Sequence, residues 1–345
     1  TILRFASLWK QHLDVAPVLV TMGRTPADVV RDRVVAAFPA LRGLEVHRIA
    51  SPADTGRLPD VDAAFATFWT TAYALLRWTG AGKRCYLVQD FEPSFYPAGT
   101  TTALVTATYR FGFEGVCNTI GLRECYAALG GSSTAFAPAV DSRVFHRRGR
   151  RDDRTRPVRI FAYMRPGHLR NGFELLARAL RAIKKRFGDR VEIVSAGSEW
   201  DPETFALGGV VTNLGLLGYH ATGPLYRAID VGVVIMMTSH PSYLPLELMA
   251  CGAAVVTNHN ERTRWLLRDG DNCLLAETTA SALAERIGDA VLDAALRQRI
   301  SAAAAAEIEA NYSDWDSTAK DLFDRLFPHR NGSPGAHVKT VPEAV

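Results

Sequence analysis

The chain has 345 residues, and its 40 basic residues exceed its 36 acidic residues by only four. This length suits two domains of ordinary size, and so small a net charge gives no support for nucleic-acid binding. The five cysteines lack C-x-x-C spacing, no apolar run approaches the length of a membrane span, and the start TILRFASLWKQHL is not a signal peptide. We therefore expect a soluble, cytoplasmic protein.

Apolar strand candidates alternate with helical patterns through the first half of the chain. Residues 1–12 have the pattern of an amphipathic helix with no strand before it, so we expect the chain to begin inside its first βα unit, with the first strand missing. The predicted strands are 16–22, 44–49, 63–68, 85–90, 115–120 and 133–138, and the predicted helices between them are 26–38, 69–78, 99–110 and 121–129.

The second half repeats this alternation. Its predicted strands are 158–164, 191–197, 209–215, 231–237 and 253–258, followed by a final helix at 313–327 and a disordered tail at 328–345. Near-continuous apolar strands separated by helices are typical of parallel sheets covered on both faces. The sequence therefore predicts an α/β protein with two Rossmann-like, doubly wound domains, at 1–145 and 157–312.

The segment 146–156 joins the two predicted domains. It contains six arginines, two aspartates and no apolar residue. We interpret it as an exposed basic linker. A second interpretation is a basic patch for acidic phospholipid headgroups or a lipid diphosphate, which would place the protein peripherally at the inner membrane.

Two arginines follow the first strand of the second domain. Arg165 and Arg170 lie between the strand at 158–164 and a helix that starts near Gly172. Ligands of open α/β sheets bind beyond the carboxyl ends of the strands, and two guanidinium groups beside free helix amides suit a diphosphate. The alternative is that two surface arginines flank a turn. His168, between them, is a candidate phosphate or sugar contact.

The stretch SHPSYLPLELMACG at 239–252 places one acidic residue in an apolar turn and helix. A helix that begins near Pro245 would hold Glu247 in its first turn. There the carboxylate can cap amide groups, or it can accept hydrogen bonds from a vicinal diol such as a ribose. His240 is a further candidate contact to phosphate or sugar.

Four segments in this order resemble the GT-B glycosyltransferases of family 4. LPLELMACG at 244–252, followed by AVVTN at 254–258, resembles the family's nucleotide-sugar signature, and the loop at 165–170 resembles its basic pair. PAVDSRVF at 138–145 resembles the domain crossover, and 218–230 resembles the loop and helix on the side of the nucleotide base. YLVQDFEPSFY at 86–96 is similar to the WsaF-like bacterial rhamnosyltransferases of surface-glycan assembly.

The resemblance implies a GT-B fold, with two domains facing a cleft, and a retaining hexosyl transfer without metal or cofactor. It implies a sugar-nucleotide donor, with dTDP-rhamnose favoured and GDP-mannose next, and a bacterial surface polysaccharide as acceptor, lipid-linked at the inner membrane face. Arg165 and Arg170 would stabilise the departing diphosphate. The donor-binding residues that it implies are Glu247, Ser239, His240, Ser242, Tyr243, Leu244, Gly218, Tyr219 and His168.

The chain departs from the family at one position. The family carries two glutamates eight residues apart, and the first of them falls on Ser239 here. In the family that glutamate faces the transferred sugar, so the serine changes the expected sugar contact. This departure keeps open a non-catalytic subunit that binds a sugar nucleotide.

Two further acidic pairs are candidates for chemistry. Asp90 and Glu92 share a face if their strand continues, and they would then bind acceptor hydroxyls or act as acid and base. The same pair suits an alternative function, a glycoside hydrolase. Asp269 and Asp271 have the D-x-D pattern of metal-dependent sugar transferases, but RDGDNC is typical of an exposed turn, so we predict no metal site.

Overall fold

The computed structural model describes residues 1–150, 155–238, 240 and 242–328, and the backbone of 338–340. The chain divides into two compact units. Unit 1 contains Thr1–Pro138 and the described part of Asp316–Val345, and unit 2 is Ala139–Trp315. Both units are α/β with parallel sheets, which confirms the predicted fold class.

The elements of the described residues follow the alternation seen in the sequence. The strands are β1 Val18–Thr21, β2 Glu45–Arg48, β3 Val61–Ala66, β4 Ala81–Val88, β5 Glu114–Asn118, β6 Ser133–Phe136, β7 Val158–Ala162, β8 Val191–Ser195, β9 Thr212–Asn213, β10 Val231–Val234, β11 Ala254–Asn258, β12 Leu274–Ala276 and β13 Val338–Thr340. The helices are α1 Ile2–His12, α2 Ala27–Ala37, α3 Trp69–Arg77, α4 Thr100–Thr108, α5 Ile120–Ala127, α6 Phe173–Phe187, α7 Tyr219–Arg227, α8 Leu244–Ala250, α9 Ala280–Leu292, α10 Ala294–Asn311 and α11 Trp315–Leu326.

The sheet of unit 1 has, in the described residues, the strand order β2-β1-β13-β3-β4-β5-β6. The final helix α11 packs in this unit, because the indole N–H of Trp9 on α1 donates to the Ala319 carbonyl at 2.8 Å. The Trp9 ring also meets Phe323 edge-on, with their centroids 5.6 Å apart. The sequence predicted a disordered tail at 328–345. Within it, however, the backbone of Val338–Thr340 forms strand β13, which pairs with both β1 and β3.

The sheet of unit 2 has, in the described residues, the strand order β12-β11-β10-β7-β8-β9. Successive residues of β7 face opposite sides: Ile160 joins the cluster under α6 and α9, and Phe161 joins the cluster under α8 and α10. Helix α6 forms because its apolar residues recur at helical spacing. Its buried residues are Phe173, Leu176, Ala177, Ala179, Leu180, Ile183 and Phe187.

The sequence predicted that the first domain ends at residue 145 and that an exposed linker follows. In the structure the division lies between Pro138 and Ala139, and two arginines of the predicted linker make contacts within unit 2. The crossover segment belongs to unit 2, where the Val140 N–H donates to the Tyr312 carbonyl at 2.6 Å. Arg150 donates to the carbonyl of Ile229 at 2.7 Å, and the Arg156 guanidinium lies 2.7 Å from the Asp230 carboxylate. Residues 151–154 of the predicted linker lie outside the described residues.

Candidate functional site

The candidate site lies at the carboxyl ends of β7 and β10, which are neighbours in the sheet of unit 2. The N–H of Met237, after β10, donates to the carbonyl of Arg170 at 3.3 Å. Gly172 has a φ of 62°, and a Cβ there would lie 2.7 Å from the Ile235 side chain. A glycine is therefore required where the arginine loop meets the segment that leaves β10.

Arg165, at the start of this loop, is held from two sides. One Nη lies 2.8 Å from Nε2 of His168, and the other donates to the Tyr163 hydroxyl at 3.3 Å. Its guanidinium also lies 5.9 Å from the centre of the Tyr163 ring. The Nε of Arg165 is buried and has no hydrogen-bond partner among the described residues. The side chain thus presents a preoriented cation with donor capacity to spare.

His168 and Arg170 complete a small electropositive cluster with Arg165. Burial and the positive charges of Arg165 and Arg170 lower the pKa of His168. Because arginine is only a donor, His168 Nε2 accepts from Arg165, and the neutral ring carries its proton on Nδ1. The structure brings together the three predicted residues of this loop in a form suited to an anion.

Glu247 lies in the first turn of α8, as predicted, and this helix begins at Leu244. Its side chain is half-buried, and its negative charge contributes to the raised pKa of the Tyr226 phenol, after burial as the main cause. The neighbouring residues Leu246 and Leu248 are buried in the core of unit 2. The helix is thus fixed by its apolar residues while the carboxylate stays accessible.

The turn before α8 holds three predicted residues. His240 is buried, whereas Ser242 is exposed and Tyr243 half-buried, with its ring stacked on Trp315 at 6.0 Å. Leu244 is buried in the core, which leaves its backbone rather than its side chain for a ligand. Ser239 lies outside the described residues.

Two asparagines for which the sequence predicted no role brace the segment after β10. Asn258 accepts a hydrogen bond from the Met236 N–H and donates one to the Met236 carbonyl, at 2.7 and 3.0 Å. Asn260 donates to the Thr238 carbonyl at 2.6 Å. The only signal in the sequence was position: Asn258 ends the predicted strand 253–258, and Asn260 follows that strand by two residues.

Gly218 and Tyr219, at the start of α7, are exposed. The Tyr219 ring meets Phe145 of the crossover segment edge-on, with their centroids 5.6 Å apart. A Cβ on Gly218 would have no described residue within 4 Å, so the described fold leaves room for a side chain there.

The predicted pair in unit 1 has a different setting from the one expected. Strand β4 ends at Val88 and Glu92 begins a short 3₁₀ helix, so Asp90 and Glu92 do not continue one strand. Glu92 is 3% exposed, and its carboxylate accepts from the Trp69 N–H at 2.8 Å and from the Tyr86 hydroxyl at 3.0 Å. These bonds hold the Glu92 carboxylate within the packing of unit 1, and they correct the expectation that Asp90 and Glu92 share one strand face. Asp90 is half-buried and accepts from the Phe91 N–H.

Solved structures with a similar fold cover nearly the whole chain. HepE of Anabaena, in a crystal structure with UDP and glucose, has a TM-score of 0.72 and 15% identity, and the match covers 95% of each chain. Sucrose-phosphate synthase of Thermosynechococcus elongatus has a TM-score of 0.64 and 14% identity, covering 90% of this chain and 99% of that one. At such identities the likeness concerns the fold, which is GT-B.

The sequence itself matches more specific relatives. Residues 158–288 match the family described as WsaF, C-terminal domain. The O-antigen biosynthesis protein RfbC of Myxococcus xanthus is 47% identical over 341 residues, or 98% of this chain. Residues 158–288 thus resemble the C-terminal domain of WsaF, and the chain has the GT-B fold. This confirms the resemblance stated from the motifs. The chain spans 26% of the length of RfbC.

Asp269, the first residue of the D-x-D pattern, forms contacts within unit 2. Its carboxylate lies 2.9 Å from the Arg286 guanidinium and accepts from the Leu275 N–H at 2.9 Å. Asp271 pairs instead with Arg268 at 2.8 Å. Across the described part of the chain, no cluster of three potential metal-ligating side chains occurs, and no helix is both long and apolar enough to cross a membrane.

Proposed function

We propose that this chain transfers a sugar from a nucleoside diphosphate donor to a bacterial surface polysaccharide, with dTDP-rhamnose as the favoured donor. The observation that carries the proposal is the junction between the loop at 165–170 and the segment from β10 to α8. Adjacent strand ends there present guanidinium groups and the Glu247 carboxylate. A sugar nucleotide has the complementary groups, which are a diphosphate and a ribose diol.

The relatives support this class of donor and acceptor. HepE has been crystallised with UDP and glucose and with UDP-glucose, and RfbC is named for O-antigen biosynthesis. We extend these properties to the present chain as part of the proposal. The acceptor would be lipid-linked at the inner membrane face, with the protein on the cytoplasmic side.

The proposed transfer retains the configuration of the sugar and uses no metal. The bond from the anomeric carbon to the diphosphate oxygen breaks, and the acceptor hydroxyl forms the new bond on the same face. The leaving phosphate oxygen takes the proton of that hydroxyl. Arg165 and Arg170 stabilise the negative charge that develops on the diphosphate, and preorganised donors of this kind usually contribute more to rate acceleration than any other single effect.

The proposal is tested first by calorimetric titration of the chain with TDP, UDP, GDP and ADP in EDTA. We expect one of them to bind at least tenfold more tightly than the others. Absence of binding by all four would overturn the proposal. The matching sugar nucleotide and a polysaccharide acceptor then give the product, and NMR of its anomeric proton shows retention or inversion.

The position of the diphosphate is tested by NMR titration of His168. A bound diphosphate offsets the positive charges of Arg165 and Arg170, so we expect the lowered pKa of His168 to rise when the nucleotide binds. An unchanged pKa of His168 in the saturated protein would place the diphosphate elsewhere.

A further inference from the structure

The turn that leads into α8 contains a residue with an unfavourable backbone conformation. Ser242 has a φ of 60°, which lies in the left-handed region where residues with a Cβ are uncommon. Such a conformation persists only when its surroundings hold it, and residues of this kind cluster at ligand sites. A neighbouring group of this unit must therefore hold Ser242.

His240 supplies a direct hydrogen bond to the backbone of this residue. Its Nδ1 lies 2.9 Å from the nitrogen of Ser242 and accepts the N–H. The imidazole is only 6% exposed, so water competes little for this bond. Since Nδ1 accepts, the neutral ring carries its proton on Nε2.

The same turn determines where α8 starts. The nitrogen of Leu244, the first residue of the helix, lies 3.5 Å from the Ser242 hydroxyl. The N–H of Glu247 donates to the carbonyl of Tyr243 at 3.0 Å, which closes the first helical turn. A change of backbone at Ser242 would thus move the start of the helix and, with it, the Glu247 carboxylate.

We propose that His240 is a positioning residue, which holds Ser242 in its left-handed conformation and thereby fixes Glu247 for a sugar nucleotide. The inference rests on the proposed function and deepens it. His240 acts through the turn and need not touch the donor. Since the role depends on an acceptor at the place of Nδ1, an asparagine, whose Oδ1 reaches a similar position, should replace it.

The test is a double-mutant cycle on His240→Ala and Ser242→Gly, with His240→Asn as the conservative variant. Glycine adopts a positive φ without a steric penalty, so Ser242→Gly removes the need for the histidine. Two quantities are measured for each protein: the thermal unfolding midpoint without ligand, and the Kd of whichever of TDP, UDP, GDP and ADP binds the unaltered chain.

We expect His240→Ala to weaken nucleotide binding about tenfold or more, which corresponds to the loss of one buried hydrogen bond. Introduced into Ser242→Gly, the same His240→Ala change should weaken nucleotide binding by less than about threefold, because glycine holds the positive φ without the histidine. His240→Asn, which keeps an acceptor, should recover most of the affinity lost in His240→Ala. In the ligand-free protein, Ser242→Gly should raise the midpoint of His240→Ala more than that of the unaltered chain.

Equal losses of affinity from His240→Ala in the unaltered chain and in Ser242→Gly, with additive unfolding midpoints, would overturn the positioning role while leaving the proposed function intact. Failure of the unaltered chain to bind any of the four nucleotides would overturn the proposed function and the role of the turn in donor binding. If His240→Ala does not fold, its midpoint cannot be measured, and His240→Asn decides: a loss of affinity as large as that of a non-accepting His240→Leu variant would overturn the inference.

Discussion

Asn258, the last residue of β11, forms hydrogen bonds with both backbone polar groups of Met236. Its Oδ1 accepts from the Met236 N–H at 2.7 Å, and its Nδ2 donates to the Met236 carbonyl at 3.0 Å. Strand β10 has already ended at Val234, so the side-chain amide continues the pairing that the backbone no longer provides. The chain is thereby fixed up to Met237, whose N–H contacts the arginine loop.

We expect Asn258→Ala to lower the free energy of unfolding of unit 2 by about 1–3 kcal/mol. The change leaves the Met236 N–H buried without its acceptor, whereas the Met236 carbonyl keeps a second donor, the Asn260 amide at 3.4 Å. Urea denaturation measures the effect. Asn311→Ala, at an exposed position at the end of α10, is the matched control and should change stability little. Equal stability of the two variants would show that Asn258 does not support the segment.

Arg170 is expected to matter for turnover far more than an arginine elsewhere on the same unit. Removal of one preorganised donor to a developing anion costs on the order of 10²–10³ in rate. We therefore expect Arg170→Ala to lower kcat by such a factor, while Arg178→Ala, at an exposed position on α6, leaves kcat within about twofold. Steady-state kinetics with the donor found by titration measures both. Asp269→Ala should also lower kcat by less than Arg170→Ala does. Equal losses of kcat in all three variants would contradict the assignment of Arg170 to the diphosphate.

Glu247 is expected to contribute to donor affinity through the ribose. Loss of a charged hydrogen bond costs about 1.5–3 kcal/mol, so Glu247→Ala should raise the nucleotide Kd about 10- to 150-fold. Glu174→Ala is a close control, because Glu174 also lies in the first turn of a helix of unit 2 and is exposed. Calorimetry distinguishes ribose binding from helix capping: an unchanged nucleotide Kd, with a loss of stability, would show that Glu247 only caps α8.

Local patterns predicted most of the fold and the position of the site. The apolar runs predicted most strands to within a few residues, and the helix start predicted near Pro245 lies one residue after the observed start of α8 at Leu244. The short strands were different. Strand β12 has only three residues, too few to show an alternation, and was not predicted, whereas β9 lies within the predicted strand 209–215 but has only two residues.

Contacts between distant parts of the chain could not be predicted. The Glu92 carboxylate accepts from the Trp69 N–H, which lies 23 residues away in the sequence and comes within hydrogen-bond distance only after folding. A motif of acidic residues after a strand does not show whether the carboxylate faces a ligand or the interior. The burial of His240 depends likewise on packing, which its position after a predicted strand does not show.

Glu92 is expected to affect stability more than catalysis. In Glu92→Gln one carboxylate oxygen becomes an amide that cannot accept from the Trp69 N–H or the Tyr86 hydroxyl, so at least one buried donor loses its acceptor. We expect a loss of about 1–3 kcal/mol in unfolding free energy, with kcat of the folded fraction within about threefold. Glu124→Gln, at an exposed position on α5, is the control. A loss of about 10³ in kcat without a loss of stability would support the predicted catalytic role.

The buried imidazole of His240 predicts that acid destabilises unit 2. Burial lowers the pKa of His240 from its usual 6.5 to about 4, so between these values the unfolded chain binds a proton that the folded chain does not. The contribution of neutral His240 to the free energy of unfolding is therefore fully present above pH 6.5. It falls by about 3 kcal/mol as the pH drops to 4, and this group causes no further loss below that pH. The lowered pKa values of His146 and His168 act in the same direction.

The contribution of His240 is isolated by comparison with His240→Asn, which keeps an acceptor for the Ser242 N–H but does not titrate. Urea midpoints measured from pH 8 to pH 4 should fall more steeply for the unaltered chain than for this variant. The difference between the two curves should appear between pH 6.5 and 4. Parallel curves would show that His240 titrates near its ordinary pKa, and hence that its ring is open to water in solution.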